Sequence, residues 1–428
     1  MTYRKHKTYK DSNIDEFGEI PYHWDISKVK YELKNLDSMR IPLSSEVRGN
    51  IEKIYDYYGA SGVIDKVDNY IFDEELILIG EDGANLLTRS TPLAFIAKGK
   101  FWVNNHAHIL KPINNNIIYL ANQLELRDYT TLVTGSAQPK LTQENLGDLT
   151  LIKPPIEEQE IIARFLSKKT LEIDALIEEK RKLIELLKEK RKAIITEAIT
   201  KGINKNVEMK YSGVEWIGNI PESFNKSKLK YLTNQIIDGT HNTPNYLDEG
   251  VPFLRVTDIT SSQNNEIDLE SVKFISYEEH KELIKRCKPE KGDLLVSKNG
   301  TIGIPRVVDW DYEFSIFVSL CLLKLKKDKI IPEYLSYFFN SDLVDTQIAY
   351  GGKKSTIVNL HLDKMREFII FIPNIEEQIK IVNYLDEKVN NFDDLISQCK
   401  DECIILKEYK KSLITEAVTG KIDVRNKV

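Results

Sequence analysis

The chain has 428 residues, 41% hydrophobic and 29% charged, a globular composition that excludes wholesale disorder and is long enough for two or more domains. Its 60 basic and 66 acidic side chains leave a net charge of −6, which is not the basic footprint of a general nucleic-acid binder. No apolar run approaches the ~18–20 residues of a membrane helix, residues 1–10 lack the apolar stretch of a secretory signal, and the four cysteines, too few for a disulfide scaffold, fit a reducing cytoplasm.

In chain order, residues 1–152 (net −4) read as an α+β globule, rich in Tyr, Ile, Val and Phe and cut by turn signals such as Asp82-Gly83. Residues 153–204 (net +2) read as a long helix. Glu157, Glu158 and Gln159 follow Pro155, placing acidic groups where a helix dipole favours them. Ile173, Leu176, Leu183, Leu187 and Ile194 then recur at heptad-like spacing, widened by Ile177 and Ile184, and Gly202 is the predicted stop. Residues 205–372 (net −2) return to short strands, with the turn signal Asn299-Gly300 and small helices near 278–286 and 332–340. Residues 373–428 (net −2) predict a second long helix over 376–419 that stops near Gly420. A helix this long with so narrow a stripe is not stable alone. Its nearest partner is the homologous helix of the same chain, in an intramolecular coiled coil, where Cys399 and Cys403 serve as packing residues.

The two halves repeat. At an offset of 200, Lys10, Ser12, Gly18, Ile20, Pro21, Ser27, Lys28, Lys30 and Tyr31 match Lys210, Ser212, Gly218, Ile220, Pro221, Ser227, Lys228, Lys230 and Tyr231. At an offset of 219, Ile156-Glu157-Glu158-Gln159 matches Ile375-Glu376-Glu377-Gln378, and Ile195-Thr196-Glu197-Ala198 matches Ile414-Thr415-Glu416-Ala417. The frames agree at both ends of each half, while the middles diverge. Two copies of one scaffold presenting two different binding surfaces give this pattern.

Enzymatic signatures are missing. The chain has no phosphate loop, no dinucleotide fingerprint, no nucleophile elbow and no Asn/Asp-Pro-Pro-Tyr/Phe loop of an adenine methyltransferase. What it has are polar loops in both middles. The first half offers Tyr57, Tyr58 and Ser61 in a Tyr-Gly-Ser cluster, Glu81 and Asp82 in a tight turn, Asn104, Asn105 and His106 before a strand, and Gln138 and Lys140 near its end. The second offers Thr240 and His241, then Arg255, then Ser297, Lys298, Asn299 and Thr301, and finally Lys353, Lys354 and Ser355. Arg and Lys suit guanine edges, Asn and Gln suit adenine, and glycine lets backbone approach phosphate. For any one loop, ordinary turn chemistry is the alternative. His106 and His108, two apart on one strand face, would begin a zinc set, but no third ligand completes it nearby. No metal site and no catalytic residue is therefore expected.

Together the Gly218-Asn219-Ile220-Pro221 string, Tyr58-Gly59-Ala60-Ser61-Gly62, Gly80-Glu81-Asp82-Gly83, the 292–303 string and the duplicated Ile-Glu-Glu-Gln starts resemble the specificity subunit of type I restriction-modification systems, over nearly the whole chain. The resemblance implies an α+β protein with two target recognition domains, 1–152 and 205–372. A central helix (153–204) and a C-terminal helix (373–428) would form an antiparallel coiled coil with pseudo-two-fold symmetry. It implies a non-catalytic subunit that binds double-stranded DNA, each domain reading one half of a bipartite target. The coiled coil would set the spacer and dock two methylation subunits, with S-adenosylmethionine, ATP and Mg carried by the methylation and restriction subunits rather than by this chain. A methyltransferase with a fused recognition domain would need the missing adenine loop. A purely structural adaptor would have no use for two divergent loop sets.

Overall fold

A computed structural model describes residues 3–135, 139–260, 267–350 and 359–427; of the residues singled out above, Gln138, Lys353, Lys354 and Ser355 lie outside these. The chain forms two compact units, residues 1–180 with 401–428, and residues 181–400. The divisions fall inside the two long helices, so each unit holds one globule and a length of both helices.

Each unit opens on the same hairpin, Tyr9–Asp11 with Glu19–Pro21 in the first and Met209–Tyr211 with Asn219–Pro221 in the second. The repeated Ser and Gly build its turn. The Ser12 hydroxyl accepts from Ile14 N–H at 3.1 Å and the Ser212 hydroxyl from Val214 N–H at 3.1 Å. Gly18 and Gly218 close the turn at φ +58° and +70°, where a side chain is strained. The next strand pairs with the last strand of its globule, Asp25–Lys28 with Thr150–Lys153 and Asn225–Lys228 with Ile369–Ile372. The long helix thus leaves beside the point where the chain came in.

Between these ends the two topologies agree. The first unit has a four-stranded antiparallel sheet in the order Leu33–Asn35, Ala107–Pro112, Leu76–Gly80, Ala94–Ala97. The second has Thr233–Asp238, Leu320–Leu325, Leu294–Ser297, Pro305–Val307 in the same order. The central strands Leu76–Gly80 and Leu294–Ser297 are buried along their whole length, which explains their unbroken apolar runs. A second sheet follows in each unit. Tyr55–Gly59 pairs antiparallel with Gly62–Val67 and parallel with Lys100–Val103, just as Val251–Leu254 pairs antiparallel with Lys273–Ile275 and parallel with Ser315–Ile316. The small helices expected in the second half are present as Tyr277–Ile284 and Pro332–Phe339.

The long helices run Ile156–Lys201 and Ile375–Val418, and the glycines after them, Gly202 and Gly420, sit at φ +70° and +72°. The glutamine of each Ile-Glu-Glu-Gln start is a buried clamp. Gln159 accepts from Asn116 N–H at 3.0 Å and donates to Pro154 O at 3.0 Å; Gln378 accepts from Ile331 N–H at 3.1 Å and donates to Pro373 O at 3.0 Å. Two buried tyrosines do matching work. Tyr119 donates to Ile152 O and Val418 O, and Tyr334 to Phe371 O and Ile199 O.

Within each unit the helices pair antiparallel. In the first, Lys410 meets Asp174 at 2.7 Å and Cys403 packs on Ile177. In the second, Arg191 meets Asp393 at 2.9 Å and Ile184 packs with Ile396 and Cys399. The two cysteines are packing residues, as expected. The seam itself departs from the predicted stripe. Ile173, Ile177 and Ile184 are buried, while Leu176 and Leu183 are exposed. At about 100° per residue, Leu176 lies roughly 60° and Leu183 roughly 80° round from Ile173, on the flank of the contact.

Candidate nucleic-acid interface

The polar loops of the first unit meet at the ends of its strands. Glu81 N–H donates to His106 O at 2.9 Å, and Leu141 N–H donates to Glu81 O at 2.8 Å. Asp82 forms an isolated bridge with Lys140. This backbone frame brings Glu81, Asp82, Asn104, Asn105, His106 and Lys140 together. Arg40, which no sequence pattern marked, completes the group: it pairs with Glu81 and donates to Ala107 O at 2.9 Å. Lys140 Nζ approaches Glu81 at 3.0 Å and His106 Nδ1 lies 2.8 Å from Asp82. Burial pushes the Glu81 carboxyl up, but Arg40 and Lys140 outweigh it and hold the group below the usual carboxylate range.

The loops of the second unit meet in the same place on the same frame. Lys298 N–H donates to Ser319 O at 2.8 Å, and Leu360 N–H donates to Lys298 O at 2.9 Å. Lys298 therefore occupies the position that Glu81 holds in the first unit. Its Nζ meets Asp238 at 2.8 Å, and Arg286 meets the other carboxylate oxygen at 2.7 Å. Burial pushes Asp238 up, yet these two cations hold it at about 2. His241 stands 3.3 Å from Asp238, and Thr240 N–H donates to Ile316 O at 3.1 Å. The chain passes here so closely that a Cβ on Gly239 would lie 2.0 Å from Ile316 O. Arg255 is bound to the Asp258 carboxylate through Nε at 3.1 Å and Nη2 at 2.9 Å.

Several of the predicted contact residues are buried, and this corrects their expected role. Tyr57 is 1% exposed, with its hydroxyl accepting from Leu43 N–H at 3.0 Å. Asn104 is turned inward and caps His106 N–H at 2.8 Å. Ser297 is fully buried, donating to Thr301 O at 2.6 Å and accepting from Ile304 N–H at 2.8 Å. Glu81 and Lys298 are 7% and 5% exposed. These five side chains hold the loops in shape and do not present themselves to a duplex. Exposed on the surface are Ser61, Asn105, His106, Lys140, His241 and Thr301, with Tyr58, Asp82, Thr240, Arg255 and Asn299 half-buried beside them. His106 and His108 do not share a strand face. His106 lies in the turn before Ala107–Pro112, whereas His108 is buried, with Nδ1 2.6 Å from Asp37 and Nε2 2.8 Å from Leu141 O. Asp37, Glu81 and His108 lie close enough together to be candidate metal ligands, but they are held by the His108–Asp37 contact and by Arg40, Ile109 N–H and Leu141 O.

The chain matches the family model described as type I restriction modification DNA specificity domain twice, over residues 6–186 and 221–403. S.HindORF215P of Haemophilus influenzae, provisionally named a type I restriction enzyme specificity subunit, is 29% identical over 83% of this chain and 85% of its own length. The EcoBI specificity subunit of Escherichia coli is 25% identical over 66% of this chain and 60% of its own length. The MjaVIII specificity subunit of Methanocaldococcus jannaschii is 23% identical over 98% of both chains. A chain of a solved type I restriction-modification assembly shares the fold, with a TM-score of 0.63 at 15% identity, covering 93% of this chain and 98% of that one.

Proposed function

Since the chain belongs to the type I restriction-modification DNA specificity family, as its specificity subunit and not its catalyst, we propose that each unit reads one half of a split double-stranded DNA target. The observation that carries this reading is the pair of loop clusters on one shared topology, centred on Glu81 in one unit and Lys298 in the other. A duplicated frame suits a site with two separated halves, and different loop chemistry lets the halves differ. His106, Asn105 and Lys140 are the side chains best placed to contact the first half, and His241, Thr240, Asn299 and Thr301 the second.

In this reading the antiparallel helices set the spacer and dock two methylation subunits. Leu171, Leu176, Ile404 and Ile405 in the first unit and Leu183 and Leu186 in the second are each exposed on the long helices, and such apolar side chains support docking. S-adenosylmethionine belongs to those subunits, which must flip the base they methylate, and ATP and Mg belong to restriction subunits. The site of action is the cytoplasm. Among the described residues no helix is long and apolar enough to cross a membrane. At a net charge of −6 the chain alone binds DNA weakly, since phosphate attraction supplies most non-specific affinity.

Mapping methylated adenines in a host that expresses the chain with its partners tests the reading. A bipartite motif is expected, and replacing His106 and Lys140 should change only one half of it. A variant that loses both halves equally would overturn the assignment of one half per unit. Four helical residues inserted after Glu189 add about 6 Å, so the spacer should lengthen by one or two base pairs at ~3.4 Å each. An active complex with an unchanged spacer would remove the ruler from the proposal.

A further inference from the structure

The second repeat contains a contact that the first leaves open. The helices Ile117–Leu126 and Pro332–Phe339 correspond, because Tyr119 and Tyr334 make matching hydrogen bonds. The offset of 219 pairs Lys407 with Lys188, Lys411 with Lys192 and Thr415 with Thr196 on the long helices. In the second unit, a helix over Asp342–Tyr350 follows directly and seats its first turn on this patch. Asp342 N–H donates to the Thr196 hydroxyl at 3.0 Å, and Lys192 pairs with Asp342 at 3.2 Å and with Asp345. An acidic helix start thus meets a lysine and a threonine from the long helix, and the two carboxylates are stabilised both by the lysine and by their own helix dipole.

In the first unit the chain leaves the corresponding helix in an extended conformation at Arg127, and the next helix among the described residues is Gln143–Asp148. Arg127 stands where Asp342 does, measured from the matching tyrosines. The residue at that place is therefore a cation instead of a carboxylate, and its own charge is paired with Glu16 at 2.9 Å. What remains is a groove of about 510 Å³ lined by Arg89, Arg127, Lys407, Lys410 and Lys411, with Glu125 and Asp128 as its acids. Three of the cations are already paired, Arg89 with Glu125 at 3.1 Å, Arg127 with Glu16 at 2.9 Å and Lys410 with Asp174 at 2.7 Å, and Glu125 and Asp128 also accept from backbone N–H groups, so the groove's charge rests on Lys407 and Lys411. Arg127 is buried with its guanidinium over the Phe17 ring, and its Nη1 has no hydrogen-bond partner. Lys407 and Lys411 are exposed.

We propose that this groove docks the first turn of a helix from a partner protein, one carrying two carboxylates three residues apart. These would pair with Lys407 and Lys411 as Asp342 and Asp345 pair with Lys192 in the second unit. The inference rests on the reading that the chain assembles with methylation subunits, and it names where one of them makes a charged contact.

Lysine footprinting of the full chain tests it. Lys407 and Lys411 are acetylated in the free chain, with methylation subunit added, and with duplex DNA alone. Methylation subunit should slow modification of both lysines at least fivefold. Carbodiimide should join Lys411 or Lys407 to an Asp or Glu at a helix start of that subunit. Lys407→Glu with Lys411→Glu should weaken assembly at least tenfold, and Lys411→Arg should not. An assembled, active complex whose two lysines react at the free rate would overturn the inference and leave the proposed function standing. Equal protection by DNA alone would give the groove to phosphate and also overturn it. A chain that captures no methylation subunit would remove the broader reading and this one with it.

Discussion

Glu81 and Lys298 occupy one position of a shared scaffold and carry opposite charges. Their backbones are held alike: each N–H donates to the residue before the partner strand, and each C=O accepts from a leucine further on. Their side chains are both buried. A buried charge is tolerated only when it is paired and hydrogen-bonded, so the partners have changed sign as well. Arg40 and Lys140 surround the acid in the first unit, and Asp238 meets the lysine in the second. The comparison teaches that the loops differ as sets. A single exchanged residue leaves an uncompensated charge, whereas a whole exchanged set keeps the frame.

The sharpest way to break this comparison is Lys298→Glu, which sets a second carboxylate against Asp238. Losing one partner of a buried pair costs about 3–5 kcal/mol, and urea denaturation should show the second unit unfolding first. Adding Asp238→Lys should recover most of the loss; an unchanged stability in the single variant would mean that the pair does not matter. Gln159→Ala and Gln378→Ala should each cost about 1–3 kcal/mol, because each leaves buried backbone groups unpaired. The two losses should be alike, and a loss in one unit only would show that the frame is not shared.

Acid should act on the Lys298 set next. Asp238 is held at about 2, below its ordinary 3.8, so its contribution is complete above the ordinary value and drains away as pH falls from about 4 to about 2. Asp238→Asn should remove the Asp238 share of that drain in circular-dichroism titrations, leaving those of Glu290 and Glu367, and a wild-type-like acid profile in the variant would disprove it. The smallest effect on stability is expected from His106→Ala, within about 0.5 kcal/mol, since His106 is exposed and pairs only with Asp82. Methylation mapping should nevertheless show altered readout of the first half-site alone.

The frame was legible in the sequence because its signals are local. Ser12 and Gly18 make a turn with each other, and Glu157 and Glu158 announce a helix start within one turn of it. The function of Gln159 was not legible, because its partner Asn116 lies far back in the chain. The loop strings were recognisable as clusters, but their inward and outward sides were not. Lys298 looked like a contact residue until Asp238, sixty positions away, was found beside it. Arg40 and Arg286 escaped notice for the same reason, since their carboxylates come from other strands. The seam of the long helices was placed one flank off, because isoleucine and leucine alternate there and both satisfy an apolar stripe.

The two units also differ in how much of the chain must exist before each can close. The second is continuous, residues 181–400, while the first needs residues 401–428 as well. Leu413, Ala417, Val418, Ile422 and Val424 enter the same buried cluster as Trp24 and Phe165, and Asp423 N–H donates to Arg4 O at 2.7 Å. Domains fold as units while the ribosome is still at work. Here the unit translated first must wait for residues 401–428, and the unit translated second has all its residues earlier. A chain that stops before residue 401 therefore loses the globule it made first, and keeps the residues of the one it made second.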